Sequence, residues 1–316
     1  MCMGVITYLV AYAGIIVFWA VMAATCLSYR KKPQPLRWEL YPIAHERNGR
    51  AAYGGSYLED TGWWRQKQKP SLLRGLQSFA VEFILLRNTF RNNRSLWLRT
   101  YPFHLGLYML ATALGLALVV PLLSFTGTTG SQIAQPLSDL GQVLTLGAFL
   151  GIGCGALGLI HRRLTLPDLR NFSTPEHFFN LGLFLGLSVL GLILWLTTPL
   201  LFARLCSFMA ALITFSFTPQ SGILFNLFLI YLFALTAYIP ATHMGHFFMK
   251  YFLWHDIRWN DQPIQDNPDA RHGAAQALKR PVTWKGQHIQ GDGMNNWGDI
   301  AACNPAAVKK PEGNSK

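Results

Sequence analysis

ILFNLFLIYLFALTAYIPATHMGHFFMK, residues 223–250, can cross a lipid bilayer as a helix and carries two histidines near its end. A helix of about 20 apolar residues spans the hydrocarbon core of a membrane. Five stretches reach this length, and the predicted spans are residues 4–28, 102–124, 139–160, 178–198 and 223–249. Because 51% of the residues are hydrophobic and 13% are charged, we predict an all-α integral membrane bundle of about five transmembrane helices.

A further apolar segment, PLLFARLCSFMAALITFSF at residues 199–217, contains Arg204 and is bounded by Pro199 and Pro219. Proline interrupts helices and a charge is costly in hydrocarbon. The segment is therefore predicted to be interfacial or re-entrant, with a sixth span as the alternative.

The positive charges predict the orientation of the bundle. With five spans, 26 of the 27 Lys and Arg residues fall on one side: fourteen in residues 29–101, three in 161–177 and nine from Lys250 onward. Lys and Arg collect in cytoplasmic loops, so we expect the N-terminus outside and the C-terminus in the cytoplasm. The same rule explains the net charge of +12 without a nucleic-acid partner.

This topology predicts four regions: a first transmembrane helix at 1–28, a long cytoplasmic loop at 29–101 with an amphipathic helix leading into the second span, a four-helix membrane domain at 102–250, and a cytoplasmic tail at 251–316. The first span is not read as a cleaved signal peptide, because no positive charge precedes it and RKK follows it.

The residue types of the chain count against an ion or proton pump and against a cysteine-bound metal site. No Asp, Glu, Lys or Arg lies deep in a predicted span, whereas ion pumps and proton pumps usually carry buried carboxylates. The five cysteines are far apart with no C-x-x-C pattern. Neither an iron–sulfur cluster nor a zinc site is therefore encoded in this chain.

Histidines are placed at the cytoplasmic ends of two predicted spans. His104 lies in the first turns of the second span, and His243 and His246 lie in the last turns of the fifth, so all three are expected at a similar depth. Two helices that each offer an imidazole at matched depth can hold a haem iron from both sides. His243 and His246 are three residues apart, so in a helix they would lie on one broad face. One iron could therefore bind only one of them opposite His104. An interfacial polar role for each histidine is the alternative.

Other polar residues lie at the same predicted level. Arg99, Arg162, Arg163 and Lys250 could pair with haem propionates, although the positive-inside rule explains them equally well. His161, next to Arg162, is a candidate for a quinone headgroup site.

The loop RRLTLPDLRNFSTPEHFF, residues 162–179, predicts a helix that starts with a capping box between Ser173 and Glu176 and with Pro175 in its first turn. This loop resembles the one between the third and fourth spans of the gamma subunit of respiratory nitrate reductase, a cytochrome b family. LLRNTFRNNRSLWLRTYPFHLGLYML, residues 85–110, is similar to the approach of that family to its second span.

The resemblance also covers IPATHMGHFF, residues 239–248, where the family has a haem-binding histidine six residues after a proline. Counted from Pro240, it implies His104 and His246 as the axial pair, with His243 as an alternative ligand or part of a quinone site. The family's second haem is held at positions that are Leu114 and Phe228 here. Because the chain departs from the family at these two positions, we expect one haem b, and a second would need His161, His177 or His243 in a different arrangement.

The segments KYFLWHDIRWNDQP, residues 250–263, and HIQGDGMNNWGDIAACNP, residues 288–305, are similar to the cytochrome b subunit of Tmc-type transmembrane redox complexes of sulfate-reducing bacteria, related to the Hmc and Dsr complexes and to heterodisulfide reductase. The resemblance implies an electron-transfer subunit of the bacterial inner membrane, in sulfate respiration, with other membrane subunits. Its electrons would pass between menaquinone or a periplasmic multihaem cytochrome c and a cytoplasmic iron–sulfur subunit of the heterodisulfide reductase type.

Two other functions stay open: a haem-free membrane anchor and, less favoured, a secondary transporter. The turn signals of the tail fit a surface that docks on a partner, and a disordered tail is the alternative.

Overall fold

A computed structural model of the protein describes residues 2–30, 53–65, 71–125, 127–252, 268–286 and 289–303. The chain forms two compact units. The first comprises Met1–Met22 and Leu76–Phe247, and the second comprises Ala23–Gly75 and Phe248–Lys316.

The described residues are almost entirely helical, which confirms the predicted fold class. The α-helices are α1 (Cys2–Arg30), α2 (Leu72–Leu85), α3 (Arg87–Asn92), α4 (Arg94–Ser124), α5 (Thr128–Thr165), α6 (Pro167–Phe172), α7 (Pro175–Thr197), α8 (Leu201–Ile213), α9 (Ile223–Tyr238), α10 (His246–Lys250), α11 (Pro268–Leu278) and α12 (Trp297–Ala302). Among the described residues, five helical stretches are long and apolar enough to cross a membrane: Met3–Arg30, Arg94–Ser124, Gln132–Thr165, Pro175–Thr197 and Ile223–Ala241. The chain is therefore a multi-pass membrane protein.

Helices α4 and α5 form the closest helix pair of the first unit. A Cβ atom added at Gly106 would lie 2.5 Å from the backbone nitrogen of Ile152, and one added at Gly155 would lie 2.5 Å from the backbone nitrogen of Phe103. Glycine at these two positions lets the two backbones touch, as small residues do in membrane helix pairs. Helix α4 begins eight residues before the predicted residue 102, because the side chain of Asn93 accepts the N–H of Leu96 and caps an additional two turns.

Helix α8 occupies most of the segment for which a sixth span was the alternative. Its 13 residues reach about 20 Å, which is short of a hydrocarbon core of about 30 Å. As predicted, the segment adds no sixth long helix. The Arg204 guanidinium lies 4.2 Å from the ring centroid of Phe225 and also donates to the carbonyl of Ser221.

A buried polar network holds α1 at the end of the bundle where α9 begins. The hydroxyl of Thr7 donates to Asn226 Oδ1 at 2.8 Å, and the hydroxyl of Tyr8 donates to the carbonyl of Thr218 at 2.7 Å. Asn226 also donates to the Gly222 carbonyl. Hydrogen bonding offsets the cost of burying these groups.

The fifth predicted span is broken near its end, so the prediction of one helix through residue 249 is wrong. Helix α9 stops at Tyr238, and short 3-10 turns follow at Ile239–Ala241 and His243–Gly245. Pro240 has no N–H to continue the helix. Thr242 is extended, with φ −121° and ψ 177°, and its side chain accepts the N–H of Met244. His243 and His246 therefore do not share a helix face.

The second unit contains a small ordered region in the tail. Helix α11, an antiparallel pair of two-residue strands, β1 (Lys285–Gly286) and β2 (Ile289–Gln290), and α12 follow one another. In the turn after β2, Asp292 Oδ1 accepts the backbone N–H groups of Met294 and Asn295. These hydrogen bonds hold the pKa of the Asp292 carboxyl below its usual range. The described part of the tail therefore contains regular secondary structure.

Candidate functional site

One end of the first unit gathers most of the histidines that the structure describes. Helices α4 and α7 begin there, and α5 and α9 end there. This region, termed the histidine end, carries His104, His161, His177, His243 and His246.

The structure brings His104 and His246 together. Their ring centroids lie 6.0 Å apart with 68° between the ring planes. A metal bound between two imidazoles lies about 2.0–2.1 Å from each nitrogen, which itself lies about 1.2 Å from its ring centroid, so the centroids would be about 6.4 Å apart. The observed separation is close to that requirement. His104 is half-buried on α4, whereas His246 is exposed at the start of α10.

The hydrogen bonds of this pair favour one tautomer of each neutral ring. His104 Nδ1 lies 2.8 Å from the carbonyl oxygen of Thr100, and His246 Nδ1 lies 3.2 Å from that of His243. A carbonyl oxygen can only accept, so each Nδ1 carries a proton, and in a neutral ring the lone pair lies on Nε2. Backbone carbonyls orient metal-binding histidines in this way, and they fix the tautomer that binds through Nε2.

His177 and His243 form a second pair, with ring centroids 5.7 Å apart. His177 Nδ1 accepts the backbone N–H of Thr174 at 3.1 Å, so the proton of a neutral ring lies on Nε2. His243 Nδ1 lies 3.1 Å from Glu176 Oε1, and the two side chains are 54% and 58% exposed. Among the described residues, no group of three or more His, Cys, Asp or Glu side chains could hold a metal ion.

The start of α7 corrects one sequence prediction. The capping box joins Thr174 and His177, not Ser173 and Glu176. The hydroxyl of Ser173 instead accepts from Arg163 at 3.0 Å and donates to the Leu169 carbonyl. Since Glu176 is not used in the cap, its carboxylate is available to His243.

The predicted basic residues lie in different surroundings. Arg99 donates to the backbone and side chain of Ser95 at 2.6 and 2.7 Å, and Arg163 is bound to Ser173. Arg162 Nε is buried and has no hydrogen-bond partner among the described residues. Lys250 ends α10 and belongs to the second unit. His161 is exposed, and its backbone carbonyl accepts from the Thr165 hydroxyl.

Sequence reasoning missed Tyr108 and Asn180. Tyr108 lies one turn after His104, with 6.4 Å between the ring centroids, and its hydroxyl donates to the carbonyl of Phe83 at 2.6 Å, which brings α2 beside α4. Asn180 is 3% exposed and accepts from the Tyr238 hydroxyl at 3.0 Å. A lone asparagine in an apolar span was the available signal, because a buried amide needs hydrogen-bond partners.

No family model matches the chain, and no curated protein or solved structure matches it. The resemblance to membrane cytochromes b therefore stays an expectation from sequence.

Proposed function

We propose that the chain is a haem b-carrying membrane subunit of a respiratory redox complex, with His104 and His246 as the axial ligands of one haem. The observation that carries this proposal is the 6.0 Å separation of the two rings, each with its Nδ1 on a backbone carbonyl. Bis-histidine ligation from separate helices is a usual frame for a membrane haem.

Other residues of the histidine end could help to hold such a group. Bound between these imidazoles, a haem supplies one-electron oxidation and reduction. Thr100 and His243 orient the ligand rings through their carbonyl groups. The buried Arg162 Nε, without a partner among the described residues, is the group that would bind a propionate, since a buried guanidinium nitrogen is costly without an acceptor.

The proposed partners follow from the topology and from the resemblance. Electrons would pass between the menaquinone pool or a periplasmic multihaem cytochrome c and a cytoplasmic iron–sulfur subunit of the heterodisulfide reductase type. The loop at 29–101 and the tail would lie on the side of that subunit. His243 and His161 remain the candidates for a quinone site in this proposal.

The test is a dithionite-reduced minus air-oxidised visible spectrum of the purified full chain, together with haem quantitation. We expect a low-spin b-type spectrum and about one haem per chain, as one bis-histidine site requires. A colourless protein would instead identify a haem-free anchor. Two haems per chain would show that the histidine end holds a second ligand pair.

A further inference from the structure

Helix α7 is joined to α9 and the turns after it by three hydrogen bonds. The bonds run from Tyr231 Oη to the Leu183 carbonyl (2.7 Å), from Tyr238 Oη to Asn180 Oδ1 (3.0 Å), and between His243 Nδ1 and Glu176 Oε1 (3.1 Å). On α7 these positions are spaced by four and three residues, so they form a single stripe on one helix face. We term this set the α7 ladder.

The ladder bridges the break in the fifth span. Two of its bonds lie before Pro240, and the third lies after it. Between them the backbone hydrogen bonds of the described residues are local: Thr242 N–H donates to the Ile239 carbonyl at 3.3 Å, and Gly245 N–H donates to the Thr242 carbonyl at 3.0 Å. Because the helix is interrupted, α9 alone does not set the position of the residues that follow it.

The last bond of the ladder leads directly to His246. The side chain of His243 is held by Glu176, while its backbone carbonyl accepts from His246 Nδ1 at 3.2 Å. One residue therefore links the first turn of α7 to the ring that pairs with His104.

We infer that Glu176 and Asn180 are positioning residues for the His246 imidazole, an inference that rests on the proposed haem function. Asn180 fixes the end of α9 before the break, and Glu176 fixes His243 after it. Neither residue would contact a bound iron, and both would act through the segment that carries the ligand.

The two residues differ in burial, which separates their expected effects. The Glu176–His243 pair is more than half exposed, and exposed ion pairs contribute little to stability. Loss of the Glu176 carboxylate should therefore change the ligand geometry and leave the thermal stability of the protein nearly unchanged. Asn180 is 3% exposed, so its removal should change the ligand geometry and also lower the thermal stability of the protein.

The experiment uses the full chain with its haem and follows haem transfer to excess apomyoglobin, the low-spin EPR signal and thermal unfolding. Loss of a partner that orients a metal ligand typically costs 10–100-fold in affinity, so Glu176→Ala should release haem about tenfold faster. Its EPR g values, which report the angle between the two imidazole planes, should also change. Glu176→Gln keeps an acceptor for His243 and should restore both the wild-type rate of haem release and the wild-type g values. Asp168→Ala, an exposed acid on α6, is the matched control.

Asn180→Leu is compared with Asn226→Leu, since both asparagines are buried and Asn226 lies at the opposite end of α9. Both variants should lose stability, but only Asn180→Leu should alter the EPR signal of the haem that remains. Unchanged haem release and EPR signal in Glu176→Ala, with a haem-loaded wild type, would overturn the inference and leave the proposed function intact. A wild type without haem would overturn both.

Discussion

The two histidine pairs of the histidine end are alike in distance and different in hydrogen bonding. Ring centroids are 6.0 Å apart for His104 and His246 and 5.7 Å apart for His177 and His243. Both rings of the first pair donate Nδ1–H to a backbone carbonyl. In the second pair, His177 Nδ1 accepts a backbone N–H, and His243 faces a carboxylate. In a neutral His177 the proton therefore lies on Nε2, and this ring, rather than the distance between the rings, sets the second pair apart from the proposed ligand pair.

The largest expected effect comes from replacing the histidines one at a time with alanine. His104→Ala and His246→Ala should lose nearly all bound haem, because each removes one proposed axial ligand. His177→Ala and His243→Ala should keep about one haem per chain. Reduced-minus-oxidised spectra with haem quantitation measure the difference. A His243→Ala variant without haem, beside a His246→Ala variant with a full low-spin spectrum, would reverse the assignment.

A second contrast compares two neighbouring arginines. Arg162→Gln should weaken haem binding about 10–100-fold, which corresponds to one charge-assisted hydrogen bond of about 1.5–3 kcal/mol. Arg163→Gln loses its bond to Ser173 and should leave haem affinity within about a factor of three. Haem titration of the apoprotein in detergent gives both affinities. Equal haem affinities in the two variants would show that Arg162 does not bind a propionate.

The close contact of α4 and α5 involves the helix that carries His104 and can be perturbed by one methyl group. Gly106→Ala should lower the free energy of unfolding by about 1–3 kcal/mol, since the new Cβ meets the backbone of α5. It should also lower haem content, because His104 is two residues away. Gly115→Ala, on the same helix with nothing within 4 Å of its Cβ, is the control and should be neutral or slightly stabilising. Unfolding in mixed micelles measures the free energy of unfolding of both variants.

The smallest effect is expected at the cap of the second pair. Thr174→Ala removes a side-chain contact to His177 Nδ1 and should cost about 1 kcal/mol of stability without changing the haem spectrum. Thr197→Ala, near the other end of α7, is the matched control. A spectral change in Thr174→Ala alone would show that the second pair takes part in haem binding.

Sequence reasoning found the five spans because long apolar runs are local features, and it selected His104 as a candidate because a histidine near a helix end is also a local feature. It failed where two local signals compete. Ser173–Glu176 and Thr174–His177 are capping patterns one residue apart, and the contact of Ser173 with Arg163 from α5 decides between them. The sequence also could not show that Asn180 and Glu176 face the broken segment, since that depends on how α7 packs against α9.

The early end of α9 relates the histidine end to the thickness of the bilayer. Its 16 residues give about 24 Å, and the turn at Ile239–Ala241 adds about 6 Å. Together they match a hydrocarbon core of about 30 Å with no residues to spare. A thicker bilayer would draw Thr242 and His243 into hydrocarbon, where non-helical backbone is costly unless protein covers it. We therefore expect lipid chain length to affect the segment that carries His246.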